Sequence, residues 1–178
     1  MPAATASQTI GPYWHLLEDP SWADLTRFGA TGERIALIGT VTDGDGVPVS
    51  DACVELWQAS PERSETWDGF GRAATDAEGN FRFVTLKPGP VPGAPGANTP
   101  QAPHAAVTLF ARGLLIQLHT RAYFEGERLN EQDPLLASLD PARRATLLAR
   151  NVGERDGLPA WRFDIRLQGA DETVFLEV

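Results

Sequence analysis

Two side chains stand out for chemistry, His104 and Arg112, one at each end of the apolar run HAAVTLFAR. An imidazole can bind a metal or carry a proton. A guanidinium at a strand end, beside Gly113, can project into a pocket and hold a carboxylate by a charge-assisted pair. The run is entered from a loop, KPGPVPGAPGANTPQAP, with proline or glycine at nearly every second position. Loops of this length inside a compact domain are usually functional or disordered, and prolines, which fix φ, stiffen this one. Each residue also has an ordinary reading. One histidine is not a metal site, and the residue two further on is Ala106, so His104 reads first as a buried, hydrogen-bonded histidine. Arg112 reads first as half of a surface salt bridge.

A second group is His119, Arg121 and Tyr123, at i, i+2 and i+4, which share one face of a strand. They could form a metal or anion site. An arginine between two metal donors repels a cation, so a hydrogen-bonded polar network is the favoured reading. Glu125, Glu127, Glu131 and Asp133 read as a solvated acidic loop rather than an acid/base pair. No P-loop, GxGxxG, HExxH or CxxC is present, which removes nucleotide-binding, thermolysin-like and zinc-ribbon readings.

The elements that must position these groups follow from periodicity. The 178 residues suit a single domain, 1–178, with a proper core. A net charge of −9 argues against nucleic acid as a partner. No apolar run approaches the ~18–20 residues that span a bilayer, and no signal peptide is expected at the start. The lone Cys53 lies in an apolar strand and reads as a small buried hydrophobe, which suits a reducing cytoplasm. Residues 1–33 carry no periodicity but hold TIGPYWH, an aromatic arm expected to pack on this chain or on a partner. Strands are predicted at 34–41, 52–58, 81–86, 105–111, 114–124, 160–168 and 173–178, with turns at DGDG and DAEGN. In 52–58, Cys53, Glu55 and Trp57 alternate with Val54, Leu56 and Gln58. Residues 59–72 and 125–139 read as loops. One helix is predicted from Asp140 as N-cap and Pro141 as first residue through Arg150. The sum is an all-β protein, an antiparallel β-sandwich of about eight strands with one short helix and long loops.

The assembled pattern resembles the intradiol ring-cleaving dioxygenases. The matching pieces are SQTIGPY, VELWQA, FGR, KPG, APH, LFARG, HTRAYF and RFDIRLQG, in the family's order and across nearly the whole chain. LFARG and TIGPY together point to the α chains of the family's two-chain members. The resemblance implies a β-sandwich, and a non-haem Fe(III) held by two tyrosines and by two histidines in a His-x-His pair. This sequence departs at those positions. It reads His104-Ala105-Ala106 at the His-x-His pair and Val91 in the loop, and no tyrosine lies in 59–72. An alanine and a valine offer nothing to a hard metal centre. The implied arrangement has Fe(III) on a homologous β chain, and an active site shared between the two chains in a higher-order assembly of αβ pairs. In it Thr9, Gly11, Pro12 and Tyr13 form one wall, and the arm packs on the partner. Arg112 recognises a substrate carboxylate. The implied reaction is cleavage of protocatechuate by O2, between its two hydroxylated carbons, to 3-carboxy-cis,cis-muconate. Two alternatives stand beside it. One is a self-sufficient metalloenzyme built on His104, His119 and Tyr123; the other is a non-catalytic β-sandwich binding module.

Overall fold

The computed structural model describes residues 8–11, 13–93 and 99–177. Its spine is β1 (Arg34–Thr42), where Ile35, Ala36 and Leu37 are buried and burial then alternates to the strand end. β2 (Cys53–Trp57) pairs antiparallel with β3 (Phe70–Ala74), while β4 (Asn80–Leu86) pairs antiparallel with β1. β5 (His104–Phe110) lies between β2 and β6 (Leu118–Phe124), antiparallel to both. β7 (Leu148–Arg155) pairs antiparallel with β8 (Leu158–Arg162), and the short β9 (Ile165–Arg166) extends along β1. The path runs β3-β2-β5-β6-β7-β8-β1-β4. Its two end strands, β3 and β4, follow each other in the chain. The turn between them is held by Asp76, whose Oδ1 accepts from the amides of Glu78 and Asn80. The sheet is therefore nearly closed.

Apolar alternation explains the core. On β5, Ala105, Val107 and Leu109 are buried, while His104, Ala106, Thr108 and Phe110 on the other face are half-buried. Val54, Leu56, Leu37, Phe81, Phe83, Phe163 and Ile165 join the same apolar cluster. Each such side chain contributes roughly 1.5–3 kcal/mol by leaving water. Gln58, on the inner face with Val54 and Leu56, is buried because its amide is satisfied by Thr85 and by the Leu86 carbonyl. Cys53 is buried, and burial pushes its thiol up to about 12, as expected of an inert core cysteine.

Several sequence expectations need correction. The sheet is mixed rather than antiparallel: β1/β8, β1/β9 and β6/β7 run parallel. A strand, β3, lies partly in the stretch read as loop 59–72. Its Gly71 marks a close approach, since a Cβ there would sit 2.3 Å from Leu25 Cδ1. Asp140 and Pro141 do start a helix, but α2 (Pro141–Ala145) ends early and the expected helical residues from Leu148 onward form β7. Partner strands on both sides override the local propensity. A second helix, α1 (Pro134–Ala137), forms inside the expected acidic loop. The predicted strand 114–124 begins only at Leu118. The predicted 160–168 breaks between β8 and β9, and the described residues of 173–178 contribute an isolated bridge, Leu176 to His119, in place of a strand.

Candidate functional site

The N-terminal arm and the Ala111-Arg112-Gly113 turn meet, although they lie about a hundred residues apart in sequence. The Thr9 hydroxyl donates to the Ala111 carbonyl at 3.1 Å and accepts from the Gly113 amide at 2.9 Å. Gly113 has φ +89°, a conformation that a side chain strains, so the turn needs glycine there. Between the two latched residues Arg112 projects with 60% of its side chain exposed. Its Nε faces Asp51 Oδ2 in an ion pair, and its terminal nitrogens make no hydrogen bond to any described residue. Asp51 is itself tied to the arm, because Trp14 Nε1 donates to its carbonyl at 3.2 Å. The result is an oriented guanidinium with an open outer edge, framed by the arm.

Around it the surface is open and apolar. Gly11 has nothing within 4 Å of where a Cβ would stand. Tyr13 is 73% exposed, and Leu16, Leu115 and Ile116 are similarly uncovered. The structure thus brings Thr9 together with Arg112 and leaves Gly11 and Tyr13 open on the same arm; Pro12 lies outside the described residues. The later part of the arm packs on this chain. Leu25 is fully buried, Arg27 pairs with Asp68 at 2.9 Å, and Trp22 meets Phe70 edge-on at 6.1 Å. Asp51 and Trp14 were not singled out from sequence; they act through a backbone carbonyl and a long-range ion pair, which leave no local pattern.

The second candidate group is the outer face of β5 and β6. Register sets His104 opposite Tyr123, Ala106 opposite Arg121 and Thr108 opposite His119. His104 Nδ1 bonds the Ala102 carbonyl at 2.7 Å, and burial holds the imidazole below its ordinary pKa, so it is neutral. Arg121 Nη1 donates to Gln101 Oε1 at 2.7 Å and to the Tyr123 hydroxyl at 3.2 Å. The Tyr123 hydroxyl donates in turn to Asp133 Oδ1 at 3.2 Å, and burial pushes its pKa up to about 12. Asp133, read above as solvated, is 1% exposed and caps α1 by accepting from Leu135 and Leu136; its Oδ2 accepts from Ala102. The expected polar network is therefore present for Arg121 and Tyr123. His119 stands apart, bonded to Thr108 at 3.2 Å. Glu127 is an ion-pair partner of Lys87, whose ammonium lies 4.1 Å from the Trp161 ring centre.

Known proteins share this sequence and shape. A family described as Dioxygenase (Dioxygenase_C) matches residues 19–169. The protocatechuate 3,4-dioxygenase alpha chain of Pseudomonas putida is 41% identical, over 97% of this chain and 96% of its own length. The beta chain of the Burkholderia cepacia enzyme is 35% identical over 80% of this chain and 67% of its own. The dioxygenase domain of a carbohydrate-binding fusion from Streptomyces sp. SirexAA-E superposes with TM-score 0.64 at 27% identity, over 95% of this chain and 98% of that one. The chain belongs to the intradiol dioxygenase family. Catechol 1,2-dioxygenase from Pseudomonas arvilla C-1, at 24% identity and TM-score 0.63 over 84% of this chain and 56% of that one, shares the fold.

Intradiol dioxygenases use non-haem iron, and the residues of this chain do not fit it. Ala106 and Val91 stand at two of the implied ligand positions. The Val91 backbone bridges to Gln101, and the Arg121 guanidinium lies across from Ala106, bonded to Gln101 and Tyr123. A fixed cation there opposes a second one. Tyr123 keeps its proton and donates a hydrogen bond with it to Asp133, so its oxygen is not a free phenolate. Among the described residues no group of three His, Cys, Asp or Glu side chains is placed to share a metal.

Proposed function

We propose that this chain is the α-type subunit of a protocatechuate 3,4-dioxygenase and completes an active site against a homologous β chain that carries the Fe(III). The observation that carries this reading is the latch between Thr9 and the Arg112 turn, which aims a guanidinium with a free outer edge out of an apolar, uncovered surface. Full-length identity to an α chain supports the assignment, and similarity to a β chain supports the nature of the partner.

In this reading the partner covers Tyr13, Leu16, Leu115 and Ile116, whose exposure is costly to leave in water. Thr9, Gly11, Pro12 and Tyr13 wall one side of the substrate. Arg112 receives the protocatechuate carboxylate on its terminal nitrogens while Asp51 holds its Nε edge, which fixes the ring's orientation. Iron on the partner supplies the activation of the catechol for attack on O2; this chain supplies orientation, charge complementarity and exclusion of water. Both oxygen atoms enter the product as the bond between the hydroxylated carbons opens. The αβ pairs assemble further, and residues 1–178 form one domain with an arm of about 1–33.

The nearly closed sheet is read as the family's sandwich. Its support is that, among the described residues, the strand ladder between β3-β2-β5-β6 and β7-β8-β1-β4 consists of two residue pairs, Tyr123 with Leu148 and Phe124 with Ala149. Among the described residues no helix is long and apolar enough to cross a membrane. A cytoplasmic location rests on the lone buried thiol of Cys53.

The test is Arg112→Ala in the assembled enzyme. A charge-assisted bond at a part-exposed site is worth ~1.5 kcal/mol, so KM for protocatechuate rises about tenfold. KM for catechol, which lacks the carboxylate, stays within about twofold. Equal effects on the two substrates remove the carboxylate role.

A further inference from the structure

The motif RFDIRLQG has no part in the Arg112 site, yet its Arg162, Asp164 and Arg166 line a groove of about 740 Å³ on the far sheet. That volume is in the range of small-molecule sites. The floor is the outward face of β1, β7, β8 and β9, and Ala142, Ala145 and Thr146 of the α2 region form a side. Arg150 of β7 also lines it, directly opposite Arg162 in the antiparallel register. Opposed residues have Cβ atoms about 4.5–5.5 Å apart, and like charges so placed repel.

The two arginines are not equally satisfied. Arg162 is fixed by Asp164 at 2.8 Å and by the Thr40 hydroxyl at 3.1 Å. Arg166 is fixed by the carbonyls of Gly44 at 2.6 Å and Gln168 at 3.1 Å. The Arg150 side chain has no ion-pair or hydrogen-bond partner among the described residues. The pairing of β7 with β8 also shifts between Asn151 and Glu154, immediately after Arg150. Bulges of this kind re-aim side chains beside sites. Three arginines face two carboxylates, Asp164 and Asp171, so the groove carries one excess positive charge in a chain of net charge −9.

We propose that this groove is a binding site for a small multivalent oxyanion, clamped between Arg150 and Arg162 with Arg166 beyond. A bridging anion turns the repulsive arginine pair into two charge-assisted contacts. Phosphates and polycarboxylates share the required chemistry. The site is separate from ring cleavage and does not depend on that assignment.

The experiment is titration calorimetry of the full chain with inorganic phosphate and with citrate, at matched ionic strength. Saturable 1:1 binding is expected for at least one, and the stronger ligand identifies the source as phosphate or carboxylate. Arg150→Gln weakens it about tenfold or more, whereas replacement of the exposed Arg63 outside the groove, Arg63→Gln, leaves it unchanged. Without anion, the Arg150→Gln melting temperature equals or exceeds that of the wild type, because a repulsion has been removed. No saturable binding, equal binding by Arg150→Gln (an adventitious ion only), or a lower melting temperature for that variant overturns the proposal.

Discussion

Replacing Thr9 with valine keeps the side-chain shape and deletes both bonds of the arm latch. The Ala111 carbonyl loses one of its two donors, keeping the Leu114 amide at 3.2 Å, and the Gly113 amide loses its acceptor. Both groups lie near solvent, so water replaces part of each loss and the net value is at the low end, ~0.5 kcal/mol per bond. The sum, ~1 kcal/mol, changes the docked-to-undocked ratio of the arm about fivefold. Trp14 still holds Asp51, so the arm loosens rather than detaches. Hydrogen exchange at the Gly113 amide reads the latch directly and accelerates up to about fivefold. In the assembled enzyme kcat/KM for protocatechuate falls by up to the same factor, chiefly through KM, and Thr9→Ser retains both properties. An unchanged Gly113 exchange rate refutes the latch. Faster exchange with unchanged kcat/KM refutes the claim that the docked arm shapes the site.

Two further predictions concern the network behind β5. Asp133→Asn turns one of the two acceptor oxygens of Asp133 into a donor facing the Ala102 amide, or, if flipped, facing Tyr123, Leu135 and Leu136. A buried donor left without an acceptor costs ~1–3 kcal/mol, and urea unfolding should show a loss of that size or more; a loss below ~0.5 kcal/mol contradicts the hub role. His104, held below its ordinary pKa mainly by burial, binds a proton more readily unfolded than folded. Stability contributed by the neutral ring is therefore full above the unfolded value of about 6.5 and is lost as pH falls from there toward the folded pKa. The wild type should lose stability between pH 7 and about 5.5 more steeply than His104→Gln, and parallel curves would show that His104 is not responsible.

What could be read from sequence was what repeats locally. The alternation in 52–58 separated the buried Val54 and Leu56 from Glu55 and Trp57, and Asp140-Pro141 marked a helix start, because each signal lies within a few residues. β3 was lost because its glycine serves a close contact with Leu25, a residue outside the strand. The residues that became β7 were lost because helix-prone leucine and alanine follow a good N-cap, and only the neighbouring strands make them extended. At the site, the family resemblance singled out Thr9 and Arg112, which meet in the structure. Their meeting through one hydroxyl, and the roles of Asp51 and Trp14, depend on tertiary contacts with no sequence period. Asp133 misled because acidic residues around it, such as Glu131, are solvated while it alone turns inward to cap α1.

The central claim is that this chain orients substrate for iron held on another chain. The most direct measurement is iron content and ring-cleaving activity of this chain alone, of the β-type partner, and of the two co-purified. The account predicts an iron-free, inactive chain that joins an iron-containing complex cleaving protocatechuate. Stoichiometric iron and protocatechuate cleavage in this chain by itself would contradict it and would return the metal to His104, His119 and Tyr123.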